Sequence, residues 1–160
     1  YERGWNLLAE LGYAQYEISN FAKPDAECRH NMNTWRMHEW IGCGPSSASQ
    51  YNGERYQRPA NLEEWCLGME STTSPRTEHI TLDDNLLLAD AVIFGLRMNS
   101  GVDLKTLNLR FAHATNRIDL ETKLKFFEKE GLLKSKNTHY KLTHQGRLLC
   151  DSLGSNLLDV

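Results

Sequence analysis

The hydrophobic pattern changes period several times along the chain, and each change marks an element. From Glu2 to Leu11 the apolar residues Trp5, Leu8, Ala9 and Leu11 fall at helical spacing, and Gly12 is placed to end that helix. Tyr16 and Ile18 then sit two apart, which predicts a strand over Tyr13–Ile18. Asn20–His30 is a loop turning at Lys23-Pro24-Asp25, and Trp40–Cys43 is a short apolar run that predicts a second strand. Asn52-Gly53 lies between Tyr51 and Arg55-Tyr56 and signals a hairpin. After Pro59, Asn61-Leu62-Glu63-Glu64 is a capping-box pattern for a helix to Met69. Ser71–Glu78 is polar, contains Pro75 and reads as a linker.

The second half is mostly helical. Thr81-Leu82-Asp83-Asp84 opens a helix to Arg97 whose Leu86, Leu87, Ala89, Val92, Ile93 and Leu96 predict deep burial. Asp103 starts a short helix through Leu109. Thr115 or Asn116 caps a third, with Ile118, Leu120, Leu124 and Phe127 inward and Gly131 as its stop. Leu132–Lys134 and Tyr140–Leu142 flank a turn at Asn137-Thr138, and Thr143 caps a closing helix through Leu148 and Leu149. Three helices, a two-stranded wing and a closing helix make a winged-helix arrangement. Helix followed by turn and strand at the start is the αβ half of an α/β repeat. The expected fold class is therefore α+β, with an α/β segment ahead of a mostly helical winged domain. The expected divisions are 1–58, a connecting helix and linker over 59–78, and 79–160.

Composition narrows the class. Of the 160 residues, 40% are hydrophobic and 24% charged, as in ordinary globular proteins, and no apolar run approaches the roughly 20 residues of a membrane span. The four cysteines form neither a C-x-x-C pair nor a disulfide framework, which fits a reducing, cytoplasmic setting. The chain opens at Tyr1, directly into a helix, and reads as the later part of a longer protein. Net charge is −3, and the helix at Asn116–Glu130 interleaves Arg117, Lys123, Lys125 and Lys129 with Asp119, Glu121, Glu128 and Glu130. That balance argues against a nucleic-acid partner, although the winged arrangement keeps a DNA-binding regulator as one reading.

Chemistry concentrates in Cys28–Ser49. Cys28, His30, His38 and Cys43 offer metal-ligand atoms, but their spacing matches no known ligand turn. One of them acting as a single axial ligand to a larger cofactor fits better. Gly42-Cys43-Gly44-Pro45-Ser46-Ser47 allows close backbone approach, yet no long helix follows to cradle a phosphate. There is no G-x-S-x-G elbow. Glu63-Glu64 and Asp83-Asp84 lie at helix starts, where they complement the dipole.

The strings Tyr16-Glu17-Ile18-Ser19-Asn20-Phe21-Ala22-Lys23-Pro24, Cys28-Arg29-His30-Asn31, Trp35 and Ile41-Gly42-Cys43-Gly44-Pro45-Ser46 together carry a resemblance. So do Leu96-Arg97, Gly101-Val102-Asp103-Leu104, Phe111, Gly131-Leu132-Leu133 and Leu142-Thr143-x-x-Gly146. The chain resembles the C-terminal portion of radical S-adenosylmethionine (SAM) proteins related to oxygen-independent coproporphyrinogen III oxidase, and within them the haem chaperone branch. The resemblance implies the end of a partial TIM-type barrel followed by the winged domain. It also implies a [4Fe–4S] cluster and SAM in the full-length protein. The cluster's C-x-x-x-C-x-x-C motif does not occur in this sequence. The branch's H-N-x-x-Y-W motif reads here His30-Asn31-Met32-Asn33-Thr34-Trp35, with Thr34 in place of tyrosine.

The resemblance makes His30, Asn31 and Trp35 candidates for haem contact, with His30 as ligand to the metal. Gly42, Gly44 and Ala48 become candidates for cofactor contact, Ala48 lying where the oxidase branch meets SAM. The expected partners are haem or porphyrin and haem-accepting proteins, with membrane association left open. The leading function is haem delivery. The alternatives are oxidative decarboxylation of coproporphyrinogen III and the DNA-binding regulator. Two outcomes follow for this chain. With iron and sulfide added it should form no 5′-deoxyadenosine from SAM, since no cysteine set here can hold the cluster that supplies the electron; turnover would refute this. In fluorescence anisotropy at about 150 mM salt, where the Debye length is roughly 8 Å, mixed-sequence duplex DNA should not bind at micromolar levels. Tighter binding that weakens steeply with salt would revive the regulator.

Overall fold

The computed structural model describes residues 1–71 and 75–158. The chain begins α1 (Glu2–Glu10), β1 (Ala14–Gln15), β2 (Phe21–Ala22), α2 (Arg29–Trp35), β3 (Ala48–Tyr51), β4 (Glu54–Gln57), α3 (Leu62–Glu70) and β5 (Thr77–Thr81). It continues α4 (Asp84–Arg97), β6 (Val102–Asp103), α5 (Leu104–Arg110), α6 (Arg117–Lys129), β7 (Leu133–Lys136), β8 (His139–Leu142), α7 (His144–Leu148) and α8 (Cys150–Leu158). The fold is mixed α/β. Contacts divide it into two units, Tyr1–Met37 with Asp84–Val160, and His38–Asp83. The first unit is thus assembled from two separate stretches of chain.

In the first unit the core is built on α4. Leu88, Val92 and Leu96 lie one turn apart on one face and are at most 3% exposed. They share a cluster with Leu120, Leu124 and Phe127 of α6, Leu133, Tyr140 and Leu142 of the hairpin, and Leu153 and Leu157 of α8. β6, β8 and β7 form an antiparallel sheet in that order, three strands where the pattern suggested two. Asn137 turns the hairpin at φ 57°, a left-handed value that asparagine tolerates. Thr143 caps α7 by accepting from the Gly146 amide at 3.1 Å. α8 was not foreseen. Cys150, Leu153 and Leu157 give it a buried stripe. Ile118, expected inward, is 78% exposed, because the core is met only by the stripe carrying Leu120, Leu124 and Phe127. Asn116 makes no side-chain cap; instead the Asn85 carboxamide oxygen accepts from the Thr115 and Asn116 amides at 2.6 and 3.3 Å.

The strand expected over Tyr13–Ile18 reduces to two residues. β1 pairs antiparallel with β2, and Glu17 then bridges to Met98 at the end of α4. The second unit holds the antiparallel sheet β3-β4-β5 and α3. Asn52 and Gly53, at φ 54° and 76°, form the expected tight turn. The Asn61 side chain accepts from the Glu64 amide at 3.0 Å and caps α3. Trp40–Cys43 is no strand; Trp40 makes an isolated bridge to Gln50. Thr77–Thr81 is strand β5 on the β4 edge, where the pattern suggested the end of the Ser71–Glu78 linker and, at Thr81, a helix start; residues 72–74 of that linker lie outside the described residues. Every strand pair among the described residues is antiparallel.

Gly146 tests the packing of α7. A Cβ there would overlap the Leu132 carbonyl oxygen and press on Leu142. Gly146→Ala should cost about 1–3 kcal/mol and lower the melting temperature by several degrees. Gly4→Ala, in α1 with open space around it, should be neutral or stabilise slightly. Equal melting temperatures for the two variants would contradict the contact.

Candidate functional site

Helix α2 carries the three motif residues His30, Asn31 and Trp35. Its own sequence gives it little reason to be helical. Asn31, Asn33 and Thr34 are poor formers, the helix is seven residues long, and Cys28 at its N-cap makes no side-chain hydrogen bond. Tertiary anchors hold it. The Trp35 ring lies 5.6 Å from Phe94 of α4. Met37, just past the helix, is 2% exposed within the core and adopts φ 57°, a strained value for a bulky residue. Arg110 donates to the Arg36 carbonyl at 2.8 Å and to the Met37 carbonyl, placing a cation at the helix C-terminus.

At 3.6 residues per turn, His30 and Trp35 point roughly 140° apart. The helix therefore turns these two candidates to different sides. Trp35 and Asn31, four apart, share the half-buried side, and His30 is exposed. The His30 ring has no hydrogen bond or ion pair among the described residues, so its nitrogens are free to ligate. Asn31 is half-buried.

Beneath Trp35 lies a charged cluster that periodicity did not reveal. Glu17 is wholly buried. Its Oε1 accepts from the Ser19 amide at 2.8 Å and from Asn20 Nδ2 at 2.5 Å. Arg97 Nε stands 3.7 Å from Glu17 Oε2, and Arg97 Nη1 reaches Asp151 Oδ1 at 2.9 Å. The guanidinium carbon sits 5.0 Å from the Trp35 ring centre, a cation–π arrangement. Removing one member of a buried pair of this kind costs about 3–5 kcal/mol, because the other charge stays buried. Cys150 lines the same region, and burial pushes its thiol up to about 11, so it carries no thiolate at neutral pH. The one sequence signal for this cluster was an acid inside the apolar Tyr16–Ile18 run.

Gly42, Gly44 and Ala48 belong to the second unit. A Cβ on Gly42 would strike the Ala48 carbonyl oxygen and the Ser47 side chain, so this glycine serves a close approach within the loop. The Gly42 amide donates to Ser49 Oγ at 3.0 Å, and Trp40 Nε1 donates to the Ala48 carbonyl at 3.2 Å. Gly44 has φ 101° and open space where a Cβ would stand. Ala48 is exposed at the start of β3. His38 and Cys43 are also in this unit and exposed. Among the described residues no three His, Cys, Asp or Glu side chains group as a metal site, so the cysteines here do not fit a [4Fe–4S] cluster.

The chain is similar to several known proteins. The HemN C-terminal domain family matches residues 82–149. Radical S-adenosyl methionine domain-containing protein 1, mitochondrial, of Danio rerio is 36% identical over 110 residues, covering 64% of this chain and 25% of that protein. Heme chaperone HemW of Mycobacterium tuberculosis (strain H37Rv) is 29% identical over 151 residues, covering 94% of this chain and 36% of the relative. The solved structure of coproporphyrinogen III oxidase (HemN) from Escherichia coli, a radical SAM enzyme, superposes with a TM-score of 0.75 at 18% identity. That match covers 98% of this chain and 39% of the enzyme and is a likeness of fold. The chain thus spans well under half the length of the relatives it matches. Carrying their C-terminal domain and their fold, it belongs to the radical SAM family of oxygen-independent coproporphyrinogen III oxidase-like proteins.

Proposed function

We propose that this chain supplies the haem-binding helix of a cytoplasmic protein that delivers haem to acceptor proteins. The observation that carries the reading is the asymmetry of α2. One side is locked to α4 through Trp35, and the other presents an unpartnered, exposed His30. The His30 imidazole would ligate haem iron, and the iron would supply a Lewis-acid centre there. Asn31 would orient that side of the helix, and Trp35 serves as the anchor rather than as a stacking face. Relatives named Heme chaperone HemW support this reading over coproporphyrinogen decarboxylation. Cluster chemistry and SAM would be carried by residues outside this chain, with Gly44 and Ala48 as contacts from the exposed side of their loop.

Two finer features of the fold belong to the same proposal. α5, α6 and the β7–β8 hairpin act as a winged-helix-like packing module, and residues 1–58 complete a partial barrel in the longer relatives. The short β1–β2 pair, with its backbone edges unextended, suits a segment that gains further neighbours. No described helix is long and apolar enough to cross a membrane.

Haem titration followed in the Soret band tests the ligand. His30→Ala should weaken binding by about tenfold or more, equivalent to about 1.4 kcal/mol, and alter the spectrum. His38→Ala and Cys28→Ala should leave both unchanged. Wild-type affinity and spectrum in His30→Ala would remove His30 as ligand.

A further inference from the structure

We infer that Arg97 is the positioning residue of the haem-motif helix: it fixes the Trp35 side of α2 so that the His30 side is presented in one orientation. The consequence for haem rests on the reading above; the geometry does not.

Three buried polar atoms lie together here without a hydrogen bond among the described residues: Glu17 Oε2, Arg97 Nε and Trp35 Nε1. Native structures leave few such atoms, and three in one cluster mark a place where hydrogen-bond satisfaction has yielded to another requirement. That requirement is the placement of a flat cation. The Arg97 guanidinium must face the Trp35 ring at 5.0 Å while keeping Glu17 at 3.7 Å and Asp151 at 2.9 Å. The Arg97 carbonyl also accepts from the Ile18 amide at 3.1 Å, which pins the Glu17 segment to the end of α4. A lysine could supply the charge but not the plane or the fork.

The arrangement bears on α2 because that helix has so little else. Its composition is unfavourable and its N-cap makes no side-chain hydrogen bond, so its order comes from Trp35, Met37 and the Arg110 bonds at its far end. The Arg97 plane is the contact that sets the rotation of Trp35, and a rotated Trp35 re-aims His30 on the opposite side. Arg97 therefore acts on haem only through α2.

The test uses the full chain, first without haem. Hydrogen exchange of the 29–35 amides should accelerate at least about tenfold in Arg97→Lys and in the paired variant Glu17→Gln/Arg97→Gln. Exchange in α6 should stay at the wild-type rate. The paired variant leaves no lone buried charge, so it keeps the test available if Arg97→Gln alone does not fold. With ferric haem added, both variants should bind about tenfold more weakly, and their electron paramagnetic resonance should broaden into more than one low-spin species. A general loss of stability would not produce that signature. Unchanged exchange in 29–35 in both variants overturns the inference whatever haem does. Faster exchange there with unchanged haem affinity and spectrum overturns the link to haem binding. If the wild type binds no haem, the haem reading falls and the exchange data alone decide the positioning role.

Discussion

A carboxylate removed entirely from water is the constraint that the first unit is arranged around. Glu17 has no contact with solvent, and burying an ion is tolerated only where charge and hydrogen bonds replace its hydration. Ser19 and Asn20 satisfy one oxygen from the same loop, and Arg97 stands opposite the other. The carboxylate also sits beside the C-terminal end of α4, where the helix dipole disfavours an anion. The arginine at the last position of α4 offsets both costs. Because its guanidinium also faces Trp35, the packing of α2 is drawn into the same electrostatic problem.

This coupling gives α2 two unlike sides. The Trp35 side is committed to the core, through Phe94 and Arg97, and has no freedom to adapt to a ligand. The His30 ring itself is exposed and carries no hydrogen bond or ion pair among the described residues. A helix held this way would lose little conformational freedom on binding a ligand, because its orientation is already set. The strained backbone at Met37 belongs to the same economy of movement: a left-handed bulky residue persists only where its surroundings over-determine it.

Local chemistry was legible in the sequence, and long-range chemistry was not. Asn61 and Thr143 cap as their positions demand, and Asn52-Gly53 and Asn137 turn the chain where side-chain conformational preference allows φ above zero. Leu120, Leu124 and Phe127 bury as their spacing requires. Ile118 lies near that stripe, and its exposure depends on where the neighbours of α6 end, which periodicity does not report. β5 escaped notice because all five of its residues are exposed, so no alternation marks it. Helix α2 escaped because its residues favour loops and its order comes from partners far along the chain. That omission altered the site. His30 and Trp35 are five positions apart, which in a loop permits a shared face and in a helix turns them to different sides. The motif carried the family resemblance, and the fold shows that His30 is exposed where Asn31 and Trp35 are half-buried.

The first unit is discontinuous: Tyr1–Met37 packs with residues that begin at Asp84. During synthesis, at about 5–20 residues per second, the partners of Trp35 and Met37 emerge only seconds later, and α8 later still, on the order of ten seconds after α2. Throughout that interval an indole, a methionine and an uncompensated glutamate wait in the nascent chain, while His38–Asp83 can gather its own hairpin from neighbours close in sequence. Within this chain, α2 is made well before the residues that hold it in place.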